Sequence, residues 1–344
     1  MTAIVEELRS SSSWDSARAP ESVLIIRFHA IGDVVVTFPA CAALRQRLPQ
    51  ARIDFLTSDA CLEVASAVRL FDGVLWMVHP KRRVWRAFEA LKQAVRMRSR
   101  HYEVVIDLQR HRASRLIRTI AGPHAWSEFD RFSPRHALER VLDTFHRAGF
   151  GELRPIFQLE LKPEVRDRAW RLLRQNGWDG NEKLVILNPA GLWITRNWPL
   201  QHYVELAELW SKAEPVRFLL VGTTRMAGGA RYLSERLAGR AIDLTGKTSA
   251  AEALGVVQLS SVVISEDSGL LHMAWVSGIP TVALFGSTRS DWTRPLGSHS
   301  RCLGSEDLPC GACMASTCRF GDVRCLTRRS AREVLRLAQE AERG

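Results

Sequence analysis

Residues 264–287, ISEDSGLLHMAWVSGIPTVALFGS, hold the densest chemistry in the chain. An apolar run ends in Glu266-Asp267-Ser268-Gly269, and a helical pattern starts at once. Ser and Gly at a helix start leave backbone N–H groups for an anion, and the helix dipole adds to the attraction. Gly269 lets a phosphate approach the main chain closely. His272 lies one turn on and can face the same ligand. The plainer reading of Asp267 and Ser268 is a helix cap.

Three other stretches could contribute. Gly32-Asp33 follows an apolar run, so Asp33 is either a first-turn acid or a general base within reach of a hydroxyl. A lone glycine is not the dinucleotide fingerprint, which disfavours a nicotinamide dehydrogenase. Residues 188–207, NPAGLWITRNWPLQHYVELA, place Thr195 and Arg196 on a loop after another apolar run. Arg196 there can pair with a phosphate through two parallel hydrogen bonds, or lie in solvent. Cys310, Cys313, Cys318 and Cys325 follow the spacing C-x2-C-x4-C-x6-C. Four thiolates can hold Zn²⁺, but the usual two-pair spacing is missing, so reduced thiols without metal are the main expectation.

These residues need a scaffold that puts them at strand ends. Residues 23–28, 52–57, 74–78 and 104–108 read as short buried strands, and 82–98 as a basic amphipathic helix. After a polar, proline-bearing stretch the pattern restarts. Strands are expected at 184–188, 216–221, 241–244, 261–265 and 281–285. Helices are expected at 201–212, 227–237, 250–259, 269–277 and 330–342. Strand–helix alternation predicts an α/β chain of two doubly wound, Rossmann-like domains facing across a cleft, with ligands at the strand ends. The expected boundaries are a flexible tail over 1–21, a first domain over 22–160, a crossing over 161–182, a second domain over 183–328 and a terminal helix over 329–344.

Composition agrees. The chain has 344 residues, 46% hydrophobic and 25% charged, which excludes a disordered or fibrous chain. It shows no apolar stretch of spanning length and no secretion signal, so a cytoplasmic, reducing location is expected. The net charge is +11. Twelve Lys/Arg against three acids fall between Lys81 and Arg118. Such a run is either a solvated helix face or a site for an anionic partner: nucleic acid, phospholipid headgroups or a phosphorylated substrate. A non-catalytic polyanion binder is therefore a competing function, although no nucleic-acid-reading motif is present and no nucleic acid is expected.

Taken in order, five segments resemble glycosyltransferase family 9, the ADP-heptose:lipopolysaccharide heptosyltransferases. They are VLIIRFHAIGDVVVTFPACAALRQRLPQARIDFLT, YEVVIDLQ, NPAG…TRNWP, EDSGLLHMAWVSGIPTVALFGST and PCGACMASTCRFGDVRCL. The last is nearest the heptosyltransferase II group. The resemblance implies a GT-B fold, with the acceptor on the first domain and a nucleotide-sugar donor, ADP-heptose or a related compound, on the second. It implies inversion without an obligatory metal or other cofactor. By position, Asp33 would be the general base and Arg196 the cation on the donor phosphates. Thr195, Asp267, Ser268, Gly269 and His272 would bind the donor.

Arg196 stands where the family usually has lysine, Arg110 where it commonly has glycine, and Glu266 where it often has asparagine. The implied partner is a lipid A–core acceptor. Its phosphates and acidic sugars would be held by Lys81, Arg82, Arg83, Arg110, Arg112 and Arg115. Peripheral contact with the anionic inner face of the cytoplasmic membrane would follow.

Overall fold

Ser22–Ile26 reads SVLII, and all five residues are buried. A strand apolar on both faces belongs inside a parallel sheet covered by helices. In the computed structural model, which describes residues 11–78 and 83–344 (Arg83 by its backbone), it is the middle strand of the first of two sheets. The five strands are β1 (Ser22–Ile26), β2 (Arg52–Ser58), β3 (Gly73–Met77), β4 (Val104–Asp107) and β5 (Ala125–Glu128). They run parallel in the order β3-β2-β1-β4-β5. The helices are α1 (Ile31–Val35), α2 (Phe38–Arg47), α3 (Leu62–Ser66), α4 (Arg83–Arg98), α5 (Arg112–Ala121) and α6 (Ala137–Phe145). One side of the core joins Leu24, Ile26 and Val105 of the sheet to Ala90, Ala94 and Met97 of α4 and Ile117 of α5.

The second sheet has six strands: β6 (Lys183–Asn188), β7 (Val216–Leu220), β8 (Ala241–Asp243), β9 (Val262–Glu266), β10 (Thr281–Leu284) and β11 (Ser300–Leu303). Its order, β11-β10-β9-β6-β7-β8, is the doubly wound dinucleotide-fold order read from its far edge. Its helices are α7 (Pro163–Gln175), α8 (Leu200–Ala213), α9 (Ala227–Arg236), α10 (Ala250–Leu259), α11 (Gly269–Val276), α12 (Ser290–Thr293), α13 (Arg324–Thr327) and α14 (Ala331–Arg343). Trp198, Tyr203 and Trp210 fill its core against Val185, Leu187 and Phe218. In each sheet the strand order reverses beside the first strand, between β1 and β4 and between β6 and β9. Ligands bind outside the carboxyl ends of strands at such points.

The observed organisation differs from the expected one at four boundaries. The chain divides between Ile156 and Phe157. The stretch 161–182 is part of the second unit, because α7 packs on α10; a Cβ on Gly255 would come within 2.8 Å of the Ala169 Cβ. The terminal helix α14 likewise packs on α8 and β10. Part of the expected N-terminal tail is held to the first unit. Ser12 exchanges backbone hydrogen bonds of 3.0 and 2.8 Å with Trp126, covering the edge of β5, and the Trp14 N–H donates to the Ala148 carbonyl at 3.0 Å. An unpaired strand edge invites a partner strand, and this segment blunts it. Residues 1–10 lie outside the described part.

Candidate active-site corners

In the first unit, Asp33 sits in the first turn of α1, and its Oδ2 accepts from the Ala30 N–H at 3.2 Å. The same oxygen pairs with the Arg27 guanidinium at 3.0 Å. Arg27 is itself fixed: it donates to the Leu108 carbonyl and lies over the Phe129 ring at 5.2 Å. The Phe28 N–H donates to Gln109 Oε1 at 2.9 Å, so the chain after β1 is stitched to the chain after β4. The Asp33 side chain is 49% exposed, and both contacts fall on Oδ2. Among the described residues, Oδ1 makes no such contact. A half-exposed carboxylate, oriented on one oxygen and open on the other, suits proton abstraction.

The expected acceptor cations divide into two kinds. Glu128 is buried on β5, and Arg115 and Arg118 donate to it at 3.2 and 3.1 Å, with Arg110 at 3.6 Å. Arg118 also stacks 3.7 Å from the Trp126 ring. Arg110 and Arg115 are therefore partly engaged in neutralising a buried acid, which the sequence did not foretell because Glu128 lies beyond the basic run. Arg112, at the start of α5, is exposed. Lys81 and Arg82 lie outside the described residues, as does the Arg83 side chain. A pocket of about 310 Å³ is lined by Arg110, His111, Arg112, Arg115, Arg131 and Phe132. His111, Arg131 and Phe132 are additions to the predicted set. The signal for His111 was its position after the DLQR strand end; Arg131 and Phe132 had none.

In the second unit, β6 ends at Asn188 and β9 at Glu266. The Ser268 hydroxyl donates to Asn188 Oδ1 at 2.9 Å and accepts the Leu271 N–H at 3.2 Å, capping α11. The cap and the predicted anion site are thus the same turn. Arg196 meets the Asp267 carboxylate at 2.6 Å and its carbonyl at 2.5 Å, which puts a guanidinium at the head of α11. Thr195 is buried; its hydroxyl donates to the Ala315 carbonyl at 2.6 Å and accepts from Ser287 at 2.9 Å. It therefore positions Arg196. His272 is also buried, and its Nδ1 accepts from the Trp275 indole at 3.0 Å.

Glu266 does not add its charge to an anion site. It is fully buried and accepts the N–H groups of Gly191 and Trp198 at 2.6 and 2.7 Å and the Tyr203 hydroxyl at 3.3 Å. Burial pushes its carboxyl up to about 8, against the pull of those donors and of Arg196. It fastens the loop that carries Arg196. Gly191 is required there, since a Cβ would come within 2.7 Å of Glu266 and 2.1 Å of Asn197.

Residues 89–324 match the model of glycosyltransferase family 9 (heptosyltransferase), well over half the chain. The chain belongs to glycosyltransferase family 9. Lipopolysaccharide heptosyltransferase 1 of Pseudomonas aeruginosa is 25% identical over 328 residues, covering 87% of each chain. A family 9 glycosyltransferase structure from Veillonella parvula superposes with a TM-score of 0.80 at 17% identity, over 94% of this chain and 97% of that one. The E. coli heptosyltransferase WaaC, solved with ADP-2-deoxy-2-fluoro heptose, gives 0.66 at 21% identity, over 93% and 99%. These likenesses show the GT-B fold.

The cysteine-rich segment holds Cys310, Cys313, Cys318 and Cys325 as free thiols. No group of three or more His, Cys, Asp or Glu among the described residues is arranged to hold a metal ion.

Proposed function

We propose that this enzyme transfers a heptose from ADP-heptose to a lipopolysaccharide core acceptor, with inversion at the anomeric carbon. Asp33 takes the proton from the acceptor hydroxyl, and the freed oxygen attacks the anomeric carbon. The bond from that carbon to the diphosphate breaks, and its electron pair leaves with ADP. Negative charge grows on the departing phosphate. Arg196 and the N–H groups at the start of α11 would stabilise that charge more in the transition state than in the ground state. Asp267 holds Arg196, Ser268 and Gly269 form the turn, and His272 braces the helix behind it. No metal is called for, because the guanidinium and helix start supply the positive charge.

The observation that carries this reading is Arg196 set against Asp267 at the helix start, beside the β6/β9 reversal. Arg110, His111, Arg112, Arg115 and Arg131 would take the acceptor's phosphates or acidic sugars at the first unit's pocket. Such an acceptor locates the reaction at the cytoplasmic face of the membrane.

The test is a donor comparison. ADP-heptose, a UDP-sugar and a GDP-sugar are each incubated with the enzyme and a heptose-free core acceptor, and released nucleotide is measured. ADP release that depends on acceptor, with an inverted linkage by NMR, is expected. Release only from the UDP- or GDP-sugar would replace the donor, and retention of configuration would overturn the mechanism.

A further inference from the structure

A helix that covers a sheet should be apolar on one face and polar on the other. Helix α4 is not. Its buried face is Ala90, Ala94 and Met97. Away from that face it carries a second apolar stripe in which Val84 is 78% exposed, Phe88 59%, Leu91 47% and Val95 59%. The four follow the i, i+4, i+7, i+11 spacing of a single helix face. Trp85, 56% exposed, stands beside them with its ring edge-on to Phe88 at 6.2 Å. Gln93 donates to the Trp76 carbonyl, tying α4 to the end of β3, where Trp76 and Val78 are exposed as well. Large apolar patches of this kind mark interaction surfaces.

The charge around the stripe selects the partner. The helix sequence holds five basic residues and one acid, Glu89. Glu89 is half-buried and engaged by Gln93 and Lys92. Lys92, Arg96 and Arg98 are exposed along the flanks of the stripe. A second copy of the chain would set cations against cations. A bilayer bearing anionic headgroups accepts both features at once: apolar side chains enter the acyl boundary, aromatic rings sit at the interface, and Lys and Arg meet the phosphates.

We propose that α4 is a membrane-docking helix that lies in the interface of an anionic bilayer through Val84, Trp85, Phe88, Leu91 and Val95. Docking would keep the first unit at the surface where a lipid-borne acceptor resides. Membrane contact itself requires neither donor nor acceptor, so its test is independent of the transfer reaction.

The full chain is mixed with vesicles of phosphatidylcholine alone, or with about one-third phosphatidylglycerol, and pelleted. The wild type should sediment with the anionic vesicles and be released by high salt. A triple variant, Val84→Ser with Phe88→Ser and Val95→Ser, should lose at least about tenfold in partitioning. A charge variant, Lys92→Glu with Arg96→Glu, should lose a similar factor. All of these positions are exposed, so thermal midpoints should match the wild type. Wild-type partitioning by the triple variant would overturn the proposal. So would a wild-type chain that ignores anionic vesicles and instead forms a dimer which the triple variant abolishes in sedimentation velocity.

Discussion

In the proposed reaction Arg196 and Asp33 bear the chemical burden, and each is already held by a neighbour. Asp267 and the Trp193 ring orient Arg196, whose planar fork could exchange one carboxylate contact for a phosphate. Arg196→Ala should cost about 1.5–3 kcal/mol of ADP binding, the worth of a charged hydrogen bond. Calorimetry should show Arg196→Lys in between, because lysine keeps the charge but not the fork. Glu266 has a different consequence. Its carboxyl, raised to about 8 in the folded state against an ordinary 4.5, binds a proton more tightly when folded. That contribution is complete below the unfolded value and is lost as pH rises through about 8. Denaturant midpoints measured from pH 5 to pH 8.5 should fall over that range, and Glu266→Gln should flatten the slope. A wild-type profile without that fall would remove the role assigned to burial. Residue types at strand ends were legible in the sequence. Their partners were not: nothing in the order of residues revealed that Glu266 would face the loop at Gly191 and Trp198.

Helix α5 separates cations that look alike in sequence. Arg118 is buried against Glu128 and Trp126, whereas Arg112 stands in solvent at the helix start. Glu128→Ala takes one carboxylate partner from the buried Arg118 and Arg110, leaving Asp107 at 4.0 Å and Asp130 at 3.6 Å, and should destabilise the chain by about 3–5 kcal/mol in urea titrations. Arg112→Ala should shift stability by less than about 0.5 kcal/mol and weaken acceptor binding instead. Equal stability losses from the two would refute this division. Apolar runs such as SVLII and LVILN announced the central strands, because buried parallel strands tolerate no polar face. Edge strand β5, reading AWSE, and β11, reading SRCL, went unseen since their polar residues break that signal. Helix α5 was hidden in the basic run for the same reason: Arg115 and Arg118 occupy positions that pair inward, where periodicity anticipates apolar side chains.

Each unit of the molecule has its own sheet, core and strand-order reversal, and the proposed mechanism divides its work between them. Asp33 belongs to the first and the turn at 267–269, proposed to hold the donor, to the second. Two α/β halves were legible from the restart of the strand–helix pattern after residue 182. The position of the division was not, since α7 resembles a linker helix in sequence and is claimed by the second unit only through packing on α10. The division yields a clean measurement. Asp33→Asn is compared with the wild type for ADP affinity by calorimetry and for acceptor-dependent sugar transfer by ADP release. ADP affinity and thermal midpoint should be unchanged, while the transfer rate falls by about 10²–10⁴, the usual share of a general base. Transfer at the wild-type rate by Asp33→Asn would show that the proton leaves by another group.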